Sequence, residues 1–280
     1  MDTPLSLVSP AKLNLFLHIN GRRDQTQAFP GYHELQSVFQ LLDRGDVMHF
    51  TLEETQDIRI TPTLKDIPLK DNLIYKAAMA LQYKVSQSTQ HEMPNNYGIH
   101  IHIEKNLPMG GGLGGGSSNA ATTLIALNHL WNTHFTIDEL ADLGLALGAD
   151  VPVFILSKDA LATGVGERLK PIELPEQHIL LMFPECSVPT ADVFKNDMLE
   201  RSQMAVTENE AFQKDAWINA CLPVVLSMYP KIKRLYEIMS TNYKVYLSGT
   251  GSTLYILFDE LDLAEKAKKK ALAHCKCQLI

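Results

Sequence analysis

The sequence predicts a globular α+β protein, built as one large domain or two compact ones. Three observations support this fold class: a length of 280 residues, a hydrophobic fraction of 45%, and a change from mostly period-two runs to alternating strands and helices along the chain. A chain of this length is near the upper limit of what one hydrophobic core serves. The composition excludes a small disulfide scaffold, a collagenous chain and a generally disordered one. We expect a domain boundary near Gly166, giving domains of residues 1–166 and 167–280.

The N-terminal part is predicted to be rich in strands. Leucine and isoleucine alternate with Asn14, Phe16 and His18, which predicts a strand with one buried face. The spacing of Ile74 and Leu81 is helical instead. The predicted strands are residues 5–20, 47–52, 58–61 and 98–103, and the predicted helix is 72–85.

The following part is predicted to alternate helices and strands. A helix over 117–132 places its leucines on one face, and Thr136 with Glu139 forms the capping-box pattern that opens a second helix toward Gly148. Turn residues occupy 160–166. The remaining predictions are strands at 179–183, 243–247 and 253–258 and helices at 222–239 and 262–274.

The charge balance argues against a protein held to nucleic acid or to a membrane by a basic surface. The formal net charge is −7, although a local cationic pocket for a small anion remains compatible with it. The N-terminus lacks the pattern of a signal peptide, and no later run of apolar residues is long enough to cross a membrane. We therefore expect a soluble, cytoplasmic protein. The four cysteines form neither a dense disulfide framework nor two Cys-x-x-Cys pairs, and we interpret the run His274-Cys275-Lys276-Cys277 as a terminal cluster of reduced thiols rather than as part of a metal site.

The strongest local signal is the run PMGGGLGGGSSNAA at 108–121, which leads into a predicted helix. Glycines in such number favour close backbone approach or positive φ angles, and backbone N–H groups at a helix start bind phosphate. The run also matches the dinucleotide fingerprint, but the strand before it alternates, whereas a Rossmann strand is continuously apolar. Gly116 stands where a Walker A loop requires lysine. A flexible linker is the remaining alternative, and we favour phosphate binding, with Ser117 and Ser118 placed to cap the helix or to reach a phosphate or a metal ion.

Three other motifs are weak when taken singly. SPAKLNLFLHI at 9–19 puts a lysine near a strand start, where lysine commonly blocks edge pairing. GADVPVF at 148–154 puts an aspartate between a helix end and an apolar run, where aspartate commonly forms a cap or turn. SGTGST at 248–253 has the composition of a connection between two strands.

In order and spacing, these four motifs resemble those of the galactokinase, homoserine kinase, mevalonate kinase and phosphomevalonate kinase (GHMP) superfamily. The resemblance spans nearly the whole chain. The glycine run, the N-terminal motif and GYHEL at 31–35 are most similar to the 4-diphosphocytidyl-2-C-methyl-D-erythritol kinase family. The resemblance implies a two-domain α+β fold, with an N-terminal β-rich ATP-binding domain and a C-terminal ferredoxin-like domain.

The resemblance also implies a reaction and its participants. The expected enzyme transfers the γ-phosphoryl group of ATP, with Mg²⁺, to the 2-hydroxyl of a cytidylated methylerythritol in the non-mevalonate route to isoprenoids. Asp150 is the implied general base, and Lys12 is implied to orient the hydroxyl and stabilise charge. The protein ligands of the metal, and whether the protein is a monomer or a weak dimer, stay open.

The implied binding residues fall into two groups. Asn14, Tyr32, His33, Thr190 and Phe194 are implied to hold the acceptor, with Tyr32 and Phe194 enclosing the cytosine and His33 bonded to its edge. The residues implied to hold ATP are Asn72, Lys105, Met109, Gly110, Gly111, Gly112, Leu113, Gly114, Gly115, Gly116, Ser117 and Ser118.

One segment departs from the family pattern. Residues 25–30 form an extra stretch before Gly31, and Phe29 within it either adds to the base pocket or obstructs it. Two rival functions stay open: a GHMP kinase for another acceptor, such as homoserine, mevalonate or a sugar, and a nucleotide-binding regulator without turnover. The presence of both Lys12 and Asp150 argues against the regulator, because pure binding needs no hydroxyl base. A Rossmann oxidoreductase is a distant alternative.

Overall fold

The computed structural model describes residues 4–63, 67–87, 97–214 and 217–280, and it has the expected α+β composition. The strands are β1 Leu5–Arg22, β2 His33–Glu53, β3 Ile58–Thr61, β4 Gly98–Glu104, β5 Ala160–Thr163, β6 Arg168–Pro171, β7 His178–Phe183, β8 Tyr246–Leu247, β9 Leu254–Phe258 and β10 Lys276–Leu279. The helices are α1 Leu73–Ser86, α2 Gly115–Leu130, α3 Ile137–Leu145, α4 Val151–Leu156, α5 Thr190–Lys195, α6 Glu208–Ala211, α7 Leu222–Met228, α8 Pro230–Ser240 and α9 Leu261–Leu272.

Elements with strong local signals form where the sequence predicts them. The capping box is present at the start of α3, where the Thr136 side chain accepts from the Glu139 N–H and the Glu139 side chain accepts from the Thr136 N–H. Asn72 caps α1 by accepting from the Ile74 N–H. The strand predicted at 58–61 is observed with the same bounds.

Three predictions were wrong in part because tertiary contacts or proline overrode the local pattern. Residues 160–163 form β5 rather than a turn, since they pair with both β2 and β6. The helix predicted at 222–239 is two helices, because Pro230 keeps Tyr229 out of the helical region at φ −122° and ψ 90°. β1 is buried on both faces rather than one, with Phe16 only 1% exposed.

The described residues divide into two compact units that are discontinuous in sequence. The first contains Met1–Ala11, Leu41–Leu107 and Gly114–Lys158, and the second contains Lys12–Gln40, Pro108–Leu113 and Asp159–Ile280. The long strands β1 and β2 therefore each contribute residues to both units. The linear boundary near Gly166 stays a prediction.

The first unit combines strands with a layer of helices. The second half of β2 pairs antiparallel with β4, and β4 pairs parallel with β3. Helix α1 packs on α2, and α4 packs on both α2 and α3. Small residues such as Ala120 and Ala121 are fully buried in α2 and allow this close packing.

The second unit contains the predicted ferredoxin-like arrangement. Its antiparallel sheet has the strand order β10-β7-β9-β8. Helices α5 to α8 connect β7 to β8, and α9 connects β9 to β10, so the order along the chain is β-α-β-β-α-β. A hydrophobic core that includes Leu180, Ile232, Ile256 and Ala267 lies within this unit. The expected fold class is confirmed.

Two further features bear on the sequence analysis. All four cysteines, which lie within the described residues, are free thiols. Across residues 4–63, 67–87, 97–214 and 217–280, none of the helices combines the length and the apolar character needed to span a bilayer. The cytoplasmic location stays a prediction.

Candidate active site

In the glycine loop, residues 108–118, the carbonyl groups of residues 110–113 accept hydrogen bonds. Four successive carbonyls accept from backbone or hydroxyl donors, so these oxygens are turned toward the protein. Three of the four donors come from the SGTGST segment, which also connects β8 to β9 as predicted. The pairs are Ser252 N to Gly110 O at 3.2 Å, Thr253 N to Gly111 O at 3.1 Å, Ser248 Oγ to Gly112 O at 2.9 Å and Lys12 N to Leu113 O at 3.0 Å.

The conformation of this loop requires glycine at Gly112. Its φ is +74°, in the left-handed region that side chains rarely adopt, and an added Cβ would lie 2.1 Å from the Ser248 carbonyl oxygen. Gly110 and Gly114 also have positive φ angles. The prediction that the run serves close backbone approach is therefore confirmed for Gly112.

Helix α2 starts without a side-chain cap. Its N-cap is Gly114, so Ser117 and Ser118 lie inside the first turn and not at the cap position. The first N–H groups of a helix lack internal partners and carry the positive end of its dipole. This donor set at the start of α2 suits a multiply charged phosphate. ATP therefore fits the residues present.

A buried network of polar side chains fixes the start of α2. Ser9 Oγ donates to Ser118 Oγ at 2.8 Å and accepts from Asn119 Nδ2 at 2.9 Å. The same amide donates to Asp46 Oδ2 at 3.0 Å, and the Asp46 carboxylate is paired with the Lys105 ammonium. Asp46 is fully buried. The Ser118 hydroxyl thus belongs to this network, whereas Ser117 is only half-buried.

The three residues implied for the adenine side have structural contacts of their own. Asn72 is the N-cap of α1, and Lys105, which follows β4, pairs with Asp46. Each of these two residues therefore has a structural role of its own. Met109, in contrast, is 56% exposed. Contact of any of the three with a nucleotide stays a prediction.

The structure brings Lys12 and Asn14 together on β1. Lys12 is buried and its Nζ donates to Asn14 Oδ1 at 2.5 Å, while Asn14 Nδ2 donates to Ser37 Oγ at 2.8 Å. Lys12 Nζ also lies 5.0 Å from the centre of the Phe39 ring. Ser37 in turn donates to the Phe16 carbonyl at 2.6 Å. The ammonium is therefore held in one position by its surroundings.

Asp150 stands at the start of α4. It occupies the N-cap position without making a side-chain capping bond, and it is half-buried. Asp150 belongs to the first unit and Lys12 to the second. Their pairing across a substrate hydroxyl stays a prediction.

The extra stretch before Gly31 places Phe29 beside Tyr32. The two ring centres are 6.0 Å apart in an edge-to-face arrangement, and the Arg23 guanidinium lies 5.7 Å from the Phe29 ring centre. Tyr32 remains 55% exposed. Phe29 is therefore a neighbour of the ring that is implied to stack on cytosine.

Of the residues implied to bind the cytosine, His33 and Phe194 are in contact. The His33 ring stacks on that of Phe194 with 5.1 Å between centres and an interplanar angle of 29°. Thr190 begins α5, and its hydroxyl is 3.1 Å from that of Thr250 in the SGTGST segment. Burial, followed by the charges of Arg201 and Arg22, lowers the pKa of His33.

Several residues of this region escaped the sequence analysis. Arg201 donates from Nε to His33 Nε2 at 3.2 Å, although it lies in a weakly periodic polar segment that gave no functional signal. Asp46 of the buried network also carried no pattern beyond an ordinary polar residue, and Ser9 and Asn119 lie within the N-terminal motif and the glycine run without an implied role of their own. An alignment of related sequences is the kind of signal that finds such positions.

The described residues contain no cluster of three or more histidine, cysteine, aspartate or glutamate side chains suited to a metal ion. Mg²⁺ is commonly bound by one or two protein groups together with the phosphates of a substrate. The glycine loop with the half-buried Ser117 hydroxyl is compatible with that mode of binding.

Comparison with known proteins identifies the families and folds to which this chain is similar. The model of the GHMP kinases N terminal domain matches residues 72–158, and that of the GHMP kinases C terminal region matches residues 203–277. The crystal structure of a 4-(cytidine 5'-diphospho)-2C-methyl-D-erythritol kinase matches with a TM-score of 0.80 at 29% identity, covering 98% of each chain. The mevalonate kinase of Methanococcus jannaschii, with a TM-score of 0.66 at 16% identity over 99% of this chain and 97% of that one, shows the shared fold alone.

Relatives with higher sequence identity indicate one family within the GHMP kinases. The 4-diphosphocytidyl-2-C-methyl-D-erythritol kinase of Pseudomonas paraeruginosa is 44% identical over 266 residues, which is 95% of this chain and 89% of the relative. The protein of the same name from Psychromonas ingrahamii is 45% identical over 92% of this chain and 86% of its own length. This chain therefore belongs to the 4-diphosphocytidyl-2-C-methyl-D-erythritol kinase family of the GHMP kinases.

Proposed function

We propose that the protein transfers the γ-phosphoryl group of ATP to the 2-hydroxyl of 4-diphosphocytidyl-2-C-methyl-D-erythritol, giving the 2-phosphate and ADP, in the non-mevalonate route to isoprenoid precursors. The observation that carries the proposal is the 44% identity along 95% of the chain to a kinase named for this acceptor. The local geometry supports the proposal at three places: where the phosphates of ATP, the acceptor hydroxyl and the cytosine are proposed to bind.

At the phosphate side, the glycine loop and the start of α2 are proposed to hold the triphosphate. Support comes from the four occupied carbonyls, which leave N–H groups as the polar atoms available to an anion. Gly110 to Gly116 provide the backbone, and Ser117 provides the accessible hydroxyl. Mg²⁺, when bound with the nucleotide, neutralises charge on the β and γ phosphates.

At the hydroxyl side, Lys12 and Asn14 are proposed to orient the acceptor. Lys12 presents a fixed ammonium that stabilises negative charge as the phosphoryl group moves, and Asn14 contributes its amide. Asp150 is proposed to accept the proton of the 2-hydroxyl as its oxygen attacks phosphorus. This proton transfer and the alignment of the two reactants are the main contributions the protein makes, because phosphoryl transfer requires little covalent chemistry.

At the cytosine side, we propose that the cytidine is bound by Tyr32, His33, Thr190 and Phe194. The stacking of His33 on Phe194 and the exposure of Tyr32 support a partly open wall of aromatic rings. A pyrimidine placed there gains stacking from the rings and a hydrogen bond from the imidazole.

The test compares acceptors with the purified protein, ATP and Mg²⁺. ADP release is measured with 4-diphosphocytidyl-2-C-methyl-D-erythritol, homoserine, mevalonate and galactose, and phosphorus NMR locates the new phosphate. Turnover with the cytidylated alcohol alone, giving a 2-phosphate, supports the proposal. Turnover with another alcohol instead, or ATP binding without turnover, contradicts it.

A variant pair tests the proposed base. We expect Asp150→Asn to reduce kcat by at least about a hundredfold, the lower range for general base catalysis, while ATP binding by calorimetry is retained. Asp142→Asn, an exposed aspartate of α3, is the matched control. A kcat near that of the wild type in Asp150→Asn excludes the assigned role.

A further inference from the structure

The hydrogen bond between Arg201 and His33 has a fixed direction. Arg201 Nε is 3.2 Å from His33 Nε2, and a guanidinium in a protein is always a donor. His33 Nε2 must therefore accept, so this nitrogen carries no proton. In a neutral imidazole the proton then resides on Nδ1.

Arg201 itself is held in place by backbone carbonyls. It donates to the carbonyls of Asn196 at 2.8 Å, Phe194 at 3.0 Å and Leu199 at 3.0 Å. A guanidinium with these three further acceptors cannot turn away from His33 without losing them. The Phe194 carbonyl belongs to the residue whose ring stacks on His33, so Arg201 fixes both partners of the stack.

The surroundings of His33 also disfavour the charged ring. Burial is the largest cause that lowers its pKa, and the positive charges of Arg201 and Arg22 lower the pKa further. A neutral ring with an acceptor at Nε2 presents one donor, Nδ1–H. Among the described residues, none accepts a hydrogen bond from Nδ1, so this donor is available to a ligand.

We propose that Arg201 is a specificity-determining residue that holds His33 as the Nδ1–H tautomer and thereby selects cytosine over uracil in the acceptor. The inference rests on the proposed function, since it assigns His33 to the base. Cytosine has an unprotonated N3, which accepts a hydrogen bond from an Nδ1–H donor, whereas the O2 acceptor is common to cytosine and uracil and does not distinguish them. Uracil carries a proton on N3 and opposes donor to donor, and a site built around one hydrogen-bond pattern rejects a mismatched partner strongly.

The first experiment determines the tautomer directly in the wild-type protein. Nitrogen-15 NMR of the labelled full chain distinguishes a protonated from an unprotonated ring nitrogen, and His33→Asn identifies the His33 signal. We expect an unprotonated Nε2 and a protonated Nδ1 at about pH 7.5, above the ordinary histidine pKa. A protonated Nε2 overturns the proposal, whatever the enzyme turns over.

The second experiment measures preference for the base. The quantity is the ratio of kcat/KM for the cytidylated acceptor to that for its uridylated analogue, in wild type, Arg201→Met and Arg201→Lys. We expect Arg201→Met to lower the ratio by about tenfold at pH near 8, because the free imidazole then adopts the other tautomer as well. Arg201→Lys, which keeps a donor, should retain more of the preference. Arg168→Met, whose side chain is 72% exposed, is the control.

The pH profile separates this role from a merely structural one. A protonated imidazole carries hydrogen on both ring nitrogens and therefore always donates from Nδ1. The preference of Arg201→Met should then recover at about pH 5.5, while the wild-type ratio stays flat. An Arg201→Met protein whose two kcat/KM values fall by the same factor at every pH overturns the proposal. Absence of turnover with both acceptors in the wild type instead contradicts the proposed function, and leaves the NMR result to decide the tautomer.

Discussion

In the glycine loop, four successive carbonyls accept hydrogen bonds from distant residues, and the following helix is fixed by the buried Ser9, Asp46 and Asn119. The Tyr32–His33 segment is held differently. Tyr32 is 55% exposed and contacts Phe29, a residue of an irregular stretch, while His33 rests on Phe194 and Arg201. The first region is held by hydrogen bonds to its carbonyls and by a buried polar network, and the second is a more exposed group of rings.

This difference follows from the chemistry each region is proposed to perform. An anion bound by N–H groups needs a backbone that does not rearrange, since each donor contributes only when it is already aimed at the charge. A planar base needs flat surfaces and one edge contact, which exposed rings supply at small cost in folding stability. We therefore expect changes in the loop to alter folding and ATP binding together, and changes in the Tyr32 segment to alter acceptor binding alone.

The largest effect is expected for Asp46→Ala. The fully buried carboxylate accepts from the N–H groups of Asn106 and Leu107 at 2.8 and 2.9 Å and from the Asn119 amide, besides pairing with Lys105. Removing it leaves these donors without an acceptor, which should lower the free energy of unfolding by about 3 kcal/mol and raise the KM for ATP. Urea unfolding and ATP kinetics measure the two effects.

The control for this variant is Asp43→Ala, an exposed aspartate of the same strand, for which we expect a change within about 0.5 kcal/mol. Equal stability of the two variants would show that the buried Asp46 carboxylate and its hydrogen bonds do not stabilise this part of the fold.

The next effect is expected within the glycine loop. Gly112→Ala should lower the free energy of unfolding by about 2 kcal/mol, because alanine at a φ of +74° is strained and its Cβ meets the Ser248 oxygen. Gly116→Ala should keep or raise stability, since Gly116 is helical and its Cβ would meet only Leu73 at 3.4 Å. Thermal unfolding of the pair measures the contrast, and a Gly112→Ala protein as stable as Gly116→Ala refutes it.

A smaller effect on stability is expected in the Tyr32 segment. Tyr32→Ala should change the free energy of unfolding by less than about 0.5 kcal/mol, because the ring is mostly exposed. The KM for the cytidylated acceptor should rise about fivefold, as expected for the loss of one stacking contact of about 1 kcal/mol. The KM for ATP should stay constant. Tyr83→Ala, at another exposed tyrosine, is the control, and an equal acceptor KM in both proteins contradicts stacking at Tyr32.

The smallest effect concerns pH. Because the pKa of folded His33 is lowered from 6.5, the unfolded chain takes up the proton first as pH falls below about 6.5, and stability should decrease from there until the folded pKa is passed. His33→Asn should lose less stability than the wild type between about pH 7.5 and pH 5, and the lowered pKa values of His18 and His100 should preserve part of the slope. Urea unfolding midpoints across this range measure the change of stability with pH. Equal pH dependence in His33→Asn and the wild type would show that His33 does not contribute.

Much of the fold could be predicted from local patterns. The Thr136–Glu139 capping box and the cap at Asn72 involve residues a few positions apart, so their geometry follows from the sequence around them. The residues at 160–163 could not be assigned in the same way, because β5 exists through its pairing with β2 and β6. The break at Tyr229 had a local cause in Pro230, which the helical periodicity of 222–239 concealed.

The residues of the candidate site also fall into those that local patterns predict and those that they do not. The motifs around Lys12, the glycine loop and Asp150 are recognisable in order and spacing, and they indicate the family without any tertiary information. Arg201 and Asp46 were not recognisable, because an arginine in a polar stretch and an aspartate beside a glycine have many ordinary uses.

The ordered motifs, the helix that follows the glycine loop and the α+β class follow from residue type and short-range spacing, so they can be predicted from the sequence. The hydrogen bonds to the loop carbonyls, and the nitrogen of His33 that accepts one, depend on tertiary contacts. Ser248 and Gly112 are 136 positions apart, and Arg201 and His33 are 168 positions apart. Contacts over such separations form only when the whole chain is packed, since burial and the need to satisfy polar groups act on residues brought together by the fold.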